Sequence, residues 1–234
     1  FYNKVEANSY FLRWKKDNSI FDKSKFHLRD SKKEILYALN KNYNLKDKRV
    51  LEIGCFIGDL LNELKRKYNC SVCGIEPSSL ACKFAKKHFK LIINNSTFLK
   101  SKFFSLKKEN FQKFDLIIID DVLSWIDRSV ILSTLAVVDW MLKPKGIVFL
   151  RDFSPPTPFA LKNHHWKKEK IYNFKQAYGH KKILLETGKY IEISNHVRST
   201  SKYQKINTKN KMSTIWSDSI IKKIEDFTHP ILKL

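Results

Sequence analysis

Residues 50–60 read VLEIGCFIGDL: a short apolar run, a turn with two glycines, and the start of a new apolar pattern. The run at 50–53 is typical of a buried strand, and the leucines that follow recur at helical spacing over 59–68. Glycine is needed where a backbone turns tightly and lies close to a ligand. The segment therefore predicts a strand, a ligand-facing turn and a helix.

The same alternation of strands and helices extends to both sides of this segment. Apolar periodicity predicts further helices at 30–43, 78–89 and 128–142, and further strands at 71–75, 90–93, 114–119 and 147–150. An alternation of this period requires right-handed crossovers, which produce a parallel sheet covered on both faces.

Beyond Asp152 the pattern changes to a proline-rich loop and an aromatic, basic stretch. The periodicity then predicts a helix at 174–187 that is interrupted near Gly179, an antiparallel pair of strands at 190–197 and 212–217, and a last helix at 218–227. The expected fold is α/β: a doubly wound, mostly parallel sheet of seven strands with an antiparallel last strand and helices on both faces.

Length and composition favour one globular domain. The 234 residues, 43% of them hydrophobic, fit one large α/β domain better than two independent ones. No run reaches the roughly 18 apolar residues that a membrane helix needs. The first twelve residues carry charge inside any stretch that a signal peptide would keep apolar. We therefore expect a soluble, cytoplasmic protein.

The formal net charge of +22 raises the possibility of a nucleic-acid partner. The excess is nearly all lysine spread along the chain, whereas a protein that recognises nucleic-acid phosphates usually has clustered cations, with arginine favoured over lysine. The charge leaves nucleic-acid binding possible but does not favour it. Four cysteines include one Cys-x-x-Cys at 70–73, without a second such pair, so we interpret them as reduced packing residues.

An acidic residue ends the second predicted strand. Glu76 follows Gly58 by eighteen residues, in the segment CGIEP at 73–77. In a doubly wound sheet, a carboxylate at that place accepts hydrogen bonds from ribose hydroxyls beside the glycine turn.

These motifs together resemble those of the class I, Rossmann-like S-adenosylmethionine-dependent methyltransferases. The resemblance covers roughly residues 50–152 and rests on four elements in matching order. They are the first motif Glu52-x-Gly54-x-x-x-Gly58, the acidic Glu76, the segment FDLIIIDDVL at 114–123, and the turn LKPKG at 142–146. Phe56 departs from the family, which usually has glycine there; this weakens a dinucleotide-binding interpretation more than a methyltransferase one.

The resemblance implies S-adenosyl-L-methionine as the cofactor and assigns residues to it. The lead-in at 5–13 is also similar to that of bacterial methyltransferases that modify sugars and small metabolites, although its aromatic residues equally suit an N-terminal helix packed on the core. The residues expected at the cofactor are Tyr10, Arg13, Glu52, Gly54, Phe56, Gly58, Glu76, Pro77, Ser96, Asp120, Asp121 and Val122.

The acceptor side is expected in the loops after the predicted strands at 114–119 and 147–150, which correspond to the fourth and fifth strands of the family, and in the insertion that follows. A histidine takes up a proton near neutral pH, so His164 and His165 are candidate bases, with Asp152 as a third. Trp125, Lys175 and Tyr178 are candidate acceptor-binding residues. No metal is required. Asp120, Asp121 and Asp152 resemble the carboxylates of catechol-type enzymes, but the Asp-Asn pair of those enzymes is missing.

The resulting hypothesis is a single methyltransferase domain over 1–234. It comprises a helical lead-in at 1–45, a cofactor-binding half at 46–152, and an acceptor-side insertion with terminal strands at 153–234. The expected acceptor is a small molecule or sugar derivative. An RNA methyltransferase and a non-catalytic Rossmann-type binding module remain as alternatives, although the base-flipping motif of amino-group nucleic-acid enzymes is absent after residue 119. The oligomeric state is left open.

Overall fold

The computed structural model of the chain describes residues 4–17, 28–162, 172–199 and 215–224. These residues contain six α-helices, which are in chain order α1 (Lys4–Asp17), α2 (Asp30–Asn42), α3 (Asp59–Tyr68), α4 (Ser79–Phe89), α5 (Ile131–Met141) and α6 (Lys181–Glu186). The strands are β1 (Arg49–Ile53), β2 (Ser71–Ile75), β3 (Phe114–Asp120), β4 (Leu142–Phe153), β5 (Phe159–Lys162), β6 (Tyr172–Lys175), β7 (Tyr190–Ser199) and β8 (Ile215–Lys223). No described helix has the length and apolarity to span a membrane.

Six strands of the described part of the chain form the main sheet, in the order β2-β1-β3-β4-β8-β7. Strands β1 to β4 pair in parallel, β8 runs antiparallel to β4, and β7 antiparallel to β8. The doubly wound, mostly parallel sheet is thereby confirmed. Strands β5 and β6 form a separate antiparallel pair.

The expected count of seven strands is wrong within the described residues, because residues 90–93 do not form a strand. Lys90 ends α4 in the left-handed conformation, and Ile92 is 91% exposed. Only Asn94 pairs with the sheet, through an isolated bridge to Ile75. Leu91 and Ile93 instead direct their side chains towards Gly58, so the apolar run serves packing rather than strand pairing.

Two expected helices also differ from the structure. Residues 172–175 form β6, and Tyr178 and Gly179 both have positive φ, of 57° and 75°, which restricts α6 to residues 181–186. Residues 218–223 lie in β8, where they pair with strands on both sides, and 225–227 lie outside the described residues. The predicted last helix is therefore wrong over its first six residues.

Alternate side chains of the central strands pack on opposite faces of the sheet, as pleating requires. One face joins Val50, Leu116 and Ile118 to Ile35, Leu39, Leu60 and Leu64 of α2 and α3. The other joins Leu51, Ile117 and Ile119 to Leu135, Val138 and Met141 of α5. Because β1 to β4 are parallel, their carboxyl ends meet at one edge, where ligands bind in doubly wound sheets.

Candidate functional site

A cavity of about 540 Å³ opens at this edge of the sheet. Its wall is formed by the residues after β1, β2 and β3, by the first residues of α2, and by α1 on one side. This volume lies within the range of roughly 300–1,000 Å³ that is usual for small-molecule sites.

The turn after β1 forms the floor of the cavity. Gly54 and Phe56 line it, and both have positive φ, of 75° and 52°. Gly58 has a φ of 74° and directly precedes α3, but it lies outside the lining. The turn is hydrogen-bonded to β2, since the backbone N–H groups of Gly54 and Cys55 donate to the carbonyl of Ile75 at 2.8 and 3.1 Å.

Replacing Gly54 by alanine is expected to lower the free energy of unfolding by about 2 kcal/mol, measured by urea denaturation. A Cβ there would lie 2.5 Å from Cγ2 of Val122, and the positive φ is itself unfavourable for alanine. The matched control is Gly188→Ala, at a φ of 71° with nothing within 4 Å of the added Cβ. Equal losses in the two variants would show that the contact with Val122 contributes nothing.

Glu76 lies in the wall at the end of β2. One carboxylate oxygen accepts the backbone N–H of Phe56 at 2.9 Å, and the other accepts that of Ser78 at 2.7 Å. Glu76 is 5% exposed, and burial raises the pKa of its carboxyl to about 7, although these two N–H groups oppose the shift. Each oxygen keeps a second lone pair for a ligand donor.

A buried cation at the start of α2 was not found from the sequence. The ammonium of Lys32 lies 2.6 Å from Oε1 of Glu52 and 2.9 Å from Oδ2 of Asp120, and the side chain is 3% exposed. Burial lowers the pKa of Lys32, but the two carboxylates outweigh it and hold the group charged. Glu52 itself does not line the cavity, whereas Lys32 and Asp120 do.

The two arginines that line the cavity also form ion pairs, as Lys32 does. Arg29 makes a bidentate ion pair with Asp59, with nitrogen–oxygen distances of 2.8 and 2.7 Å. Arg151 at the end of β4 binds Asp218 of β8 at 2.7 and 2.8 Å and also reaches Glu34 of α2. These cations are therefore neutralised by carboxylates outside the cavity lining.

Helix α1 covers one side of the cavity. Tyr10 and Glu6 line it, whereas Arg13 does not, because it pairs with Glu6 at 2.8 Å. The helix is held by an aromatic cluster in which the rings of Tyr10, Phe11 and Trp14 surround the ring of Phe56. The lead-in aromatics thus both pack on the core and reach the cavity.

The residues expected on the acceptor side differ in where they lie relative to the cavity. Trp125 lines the cavity, together with Trp216, which the sequence analysis did not single out. Lys175 is buried behind this wall with its ammonium 3.5 Å from the centre of the Phe153 ring, and Tyr178 is 51% exposed and outside the lining. His164 and His165 lie outside the described residues.

Asp152 lies behind the cavity with both carboxylate oxygens occupied. Oδ1 accepts the hydroxyl of Ser124 and the N–H of Phe153, each at 2.8 Å, and Oδ2 contacts the backbone N–H and the ring Nδ1 of His180. The residue is 2% exposed. This geometry does not favour Asp152 as a proton acceptor for a bound molecule.

The structure brings together eight of the twelve residues expected at the cofactor: Tyr10, Gly54, Phe56, Glu76, Pro77, Asp120, Asp121 and Val122 all line the cavity. Glu52, Gly58, Ser96 and Arg13 do not; the backbone N–H of Ser96 donates to the carbonyls of Glu76 and Asn94. The following segment, 97–100, lines the wall instead. The sequence signal for it was only its position after the predicted third strand.

A family model described as "Methyltransferase domain" matches residues 44–224. An uncharacterized protein of Rickettsia prowazekii is 29% identical over 116 residues, which are 49% of this chain and 46% of that protein. The match thus spans less than half the length of that relative.

Solved methyltransferase structures share the fold. The Burkholderia thailandensis 1,6-didemethyltoxoflavin N1-methyltransferase, solved with 1,6-didemethyltoxoflavin and S-adenosylhomocysteine, superposes with a TM-score of 0.58 at 13% identity, covering 93% of this chain and 87% of that one. The N-methyltransferase NodS of Bradyrhizobium japonicum, in complex with S-adenosylhomocysteine, gives 0.61 at 16% identity, covering 94% and 99%.

Proposed function

The chain belongs to the methyltransferase-domain family, and from this premise we propose that it transfers a methyl group from S-adenosylmethionine to a small molecule held in the cavity. The family match and the fold confirm the expected class I methyltransferase with S-adenosylmethionine as its cofactor.

The cavity suits this cofactor. Glu76 is positioned to accept hydrogen bonds from both ribose hydroxyls, and Pro77 with residues 97–100 offers a wall for the adenine. Lys32 and Arg29 line the end nearest α2, and each has N–H donors beyond those used in its ion pairs that can bind a carboxylate group. Glu76, which ends the strand next to the glycine turn, is the main observation that supports the assignment of the cavity to S-adenosylmethionine.

The cofactor supplies a methyl group made electrophilic by a sulfonium, and the acceptor's lone pair forms the new bond as the carbon–sulfur bond breaks towards sulfur. The residues of the chain hold the two molecules in line and exclude water. Helix α1 and the tryptophans Trp125 and Trp216 supply the apolar part of that enclosure.

A small acceptor is favoured over a polymer because the cavity is bounded on several sides. The two structural neighbours named above are N-methyltransferases, and the Burkholderia protein was solved with 1,6-didemethyltoxoflavin bound. The net charge of +22 does not extend into the cavity, whose lining includes five acidic side chains. Nothing in the described residues favours the RNA-modifying or the non-catalytic alternative.

Calorimetry with S-adenosylhomocysteine tests the cofactor site through its pH dependence. Hydrogen bonds from ribose favour the ionised form of Glu76, so its pKa falls on binding and a proton is released. Starting from a pKa of about 7, the affinity is expected to rise between pH 6 and pH 8 and to level off above. The rise is at most tenfold per pH unit, because one proton is involved.

The matched control is Glu76→Gln, which keeps an acceptor oxygen but does not titrate. Its affinity is expected to be constant over the same range. Absence of binding by the native protein at any pH would overturn the proposed function, whereas a slope that persists in the glutamine variant would reassign the titrating group.

A further inference from the structure

Asp121 lines the cavity and takes part in none of the ion pairs of its wall among the described residues. It follows β3 in the left-handed conformation, with a φ of 54°, and its backbone N–H donates to the carbonyl of Arg151 at 2.9 Å. Its Oδ1 is buried and has no hydrogen-bond partner among the described residues. A buried carboxylate oxygen without a donor is costly, so it calls for a proton or for a ligand that donates.

The neighbouring Asp120 is in the opposite situation. It lies 2.9 Å from the ammonium of Lys32 and 3.7 Å from Nε of Arg151. Burial raises the pKa of Asp120, but these two cations outweigh it and hold the pKa below its usual value. Asp120 is therefore engaged in the protein's own ion pairs, whereas Asp121 takes part in neither of them.

The groups around Asp121 shift the pKa of its carboxyl in opposite directions. Burial raises the pKa of its carboxyl; Lys175 opposes this, Asp120 and Asp152 add to it, and a hydrogen bond from Trp125 lowers it. Lys175 is 2% exposed and is itself shifted to a lower pKa by burial, with Asp121 and Asp152 opposing. The pKa values of the two groups are thereby shifted towards each other.

The surroundings of Asp121 suit a cationic nitrogen. Five acidic and four basic described residues line the cavity, and three of those bases, Arg29, Lys32 and Arg151, are neutralised as described above. Trp125 and Trp216 line the same cavity. A carboxylate beside tryptophan rings attracts ammonium groups by charge and by cation–π contact.

We propose that the acceptor is an amine and that Asp121 binds its ammonium form and removes the proton. The inference rests on the proposed function. An oxygen of the Asp121 carboxylate takes the proton, and the electron pair of the broken N–H bond stays on nitrogen, where it becomes the attacking lone pair. Product release returns the proton from Asp121 to water. Lys175 acts as a positioning residue that keeps the carboxylate ionised.

Equilibrium binding to the protein saturated with S-adenosylhomocysteine tests this without turnover. The probes are three amines and their matched alcohols: propylamine and propanol, 2-phenylethylamine and 2-phenylethanol, and 3-aminomethylpyridine and 3-pyridinemethanol. At pH 7.5 at least one amine is expected to bind five times more tightly than its alcohol, and Asp121→Asn is expected to remove this preference. Glu109→Gln is the matched control, because it removes one negative charge from an exposed carboxylate outside the cavity lining.

A preference for amines that survives in Asp121→Asn overturns the proposal, as does the absence of any preference in the native protein. Failure to bind S-adenosylhomocysteine at all is a different result, since it overturns the proposed function itself.

Lys175→Met gives a second readout. Loss of its charge raises the pKa of Asp121, so the amine preference is expected to weaken at pH 7 and to return at higher pH. A merely structural role of Lys175 would weaken binding equally at every pH. Lys175→Gln replaces the methionine variant should that one not fold.

Discussion

Replacing Lys32 by methionine is expected to lower the free energy of unfolding by about 3–5 kcal/mol, the usual cost of leaving a buried charge without its partner. The ammonium lies between Glu52, which is completely buried, and Asp120, and no other cation within ion-pairing distance of Glu52 is found among the described residues. Urea denaturation at pH 7.5 measures the loss.

The neighbouring lysine provides the matched control. Lys33 lies on the same helix and pairs with Asp30, but both side chains are largely exposed, at 57% and 92%. Lys33→Met is expected to change stability by less than about 0.5 kcal/mol. In the double variant Lys32→Met/Glu52→Gln, neutralising the orphaned carboxylate is expected to restore part of the loss. Equal stabilities of the two single variants would show that Glu52 is not held by Lys32.

Glu76→Ala is expected to weaken S-adenosylhomocysteine binding about a hundredfold in calorimetry. A hydrogen bond to a charged group contributes about 1.5–3 kcal/mol, so losing two ribose contacts costs about 3 kcal/mol. The same substitution removes the acceptors of the Phe56 and Ser78 N–H groups, which loosens the turn that forms the cavity floor.

Glu109→Ala controls for the loss of one negative charge, because Glu109 is exposed and lies outside the cavity lining. Its affinity is expected to equal that of the native protein. A Glu76→Ala variant that binds within threefold of the native protein would contradict the ribose assignment. Thermal unfolding of both variants separates a loss of contacts from a loss of structure.

The parallel half of the fold was predictable because its signals are local. Each strand from β1 to β4 is an apolar run bounded by a turn, and the glycine turn and Glu76 stand at fixed places relative to those runs. Right-handed crossovers then bring the strand ends together, so the meeting of Gly54, Glu76 and Asp120 at one cavity follows from topology.

The errors have a different physical origin. The run at 218–223 has the appearance of an amphipathic helix, but Ser219, Ile220 and Ile221 are all at most 1% exposed because β8 is covered on both faces. Strands buried in this way lose the alternation that identifies half-exposed strands. Lys32 was missed for the converse reason, since a lysine in the first turn of a helix is ordinarily solvated, and only tertiary structure brings Glu52 and Asp120 to it.

The ion pair between Arg151 and Asp218 has a consequence for the order in which the molecule assembles during synthesis. Arg151 lies in the cavity wall, yet its buried partner follows 67 residues later in the chain, in the strand that completes the sheet beside β4. A nascent chain emerging from the ribosome can pair β1 to β4 early. Until β8 is made, the guanidinium lacks its bidentate partner and β4 has an open edge, so we expect a chaperone to bind the chain most strongly in that interval.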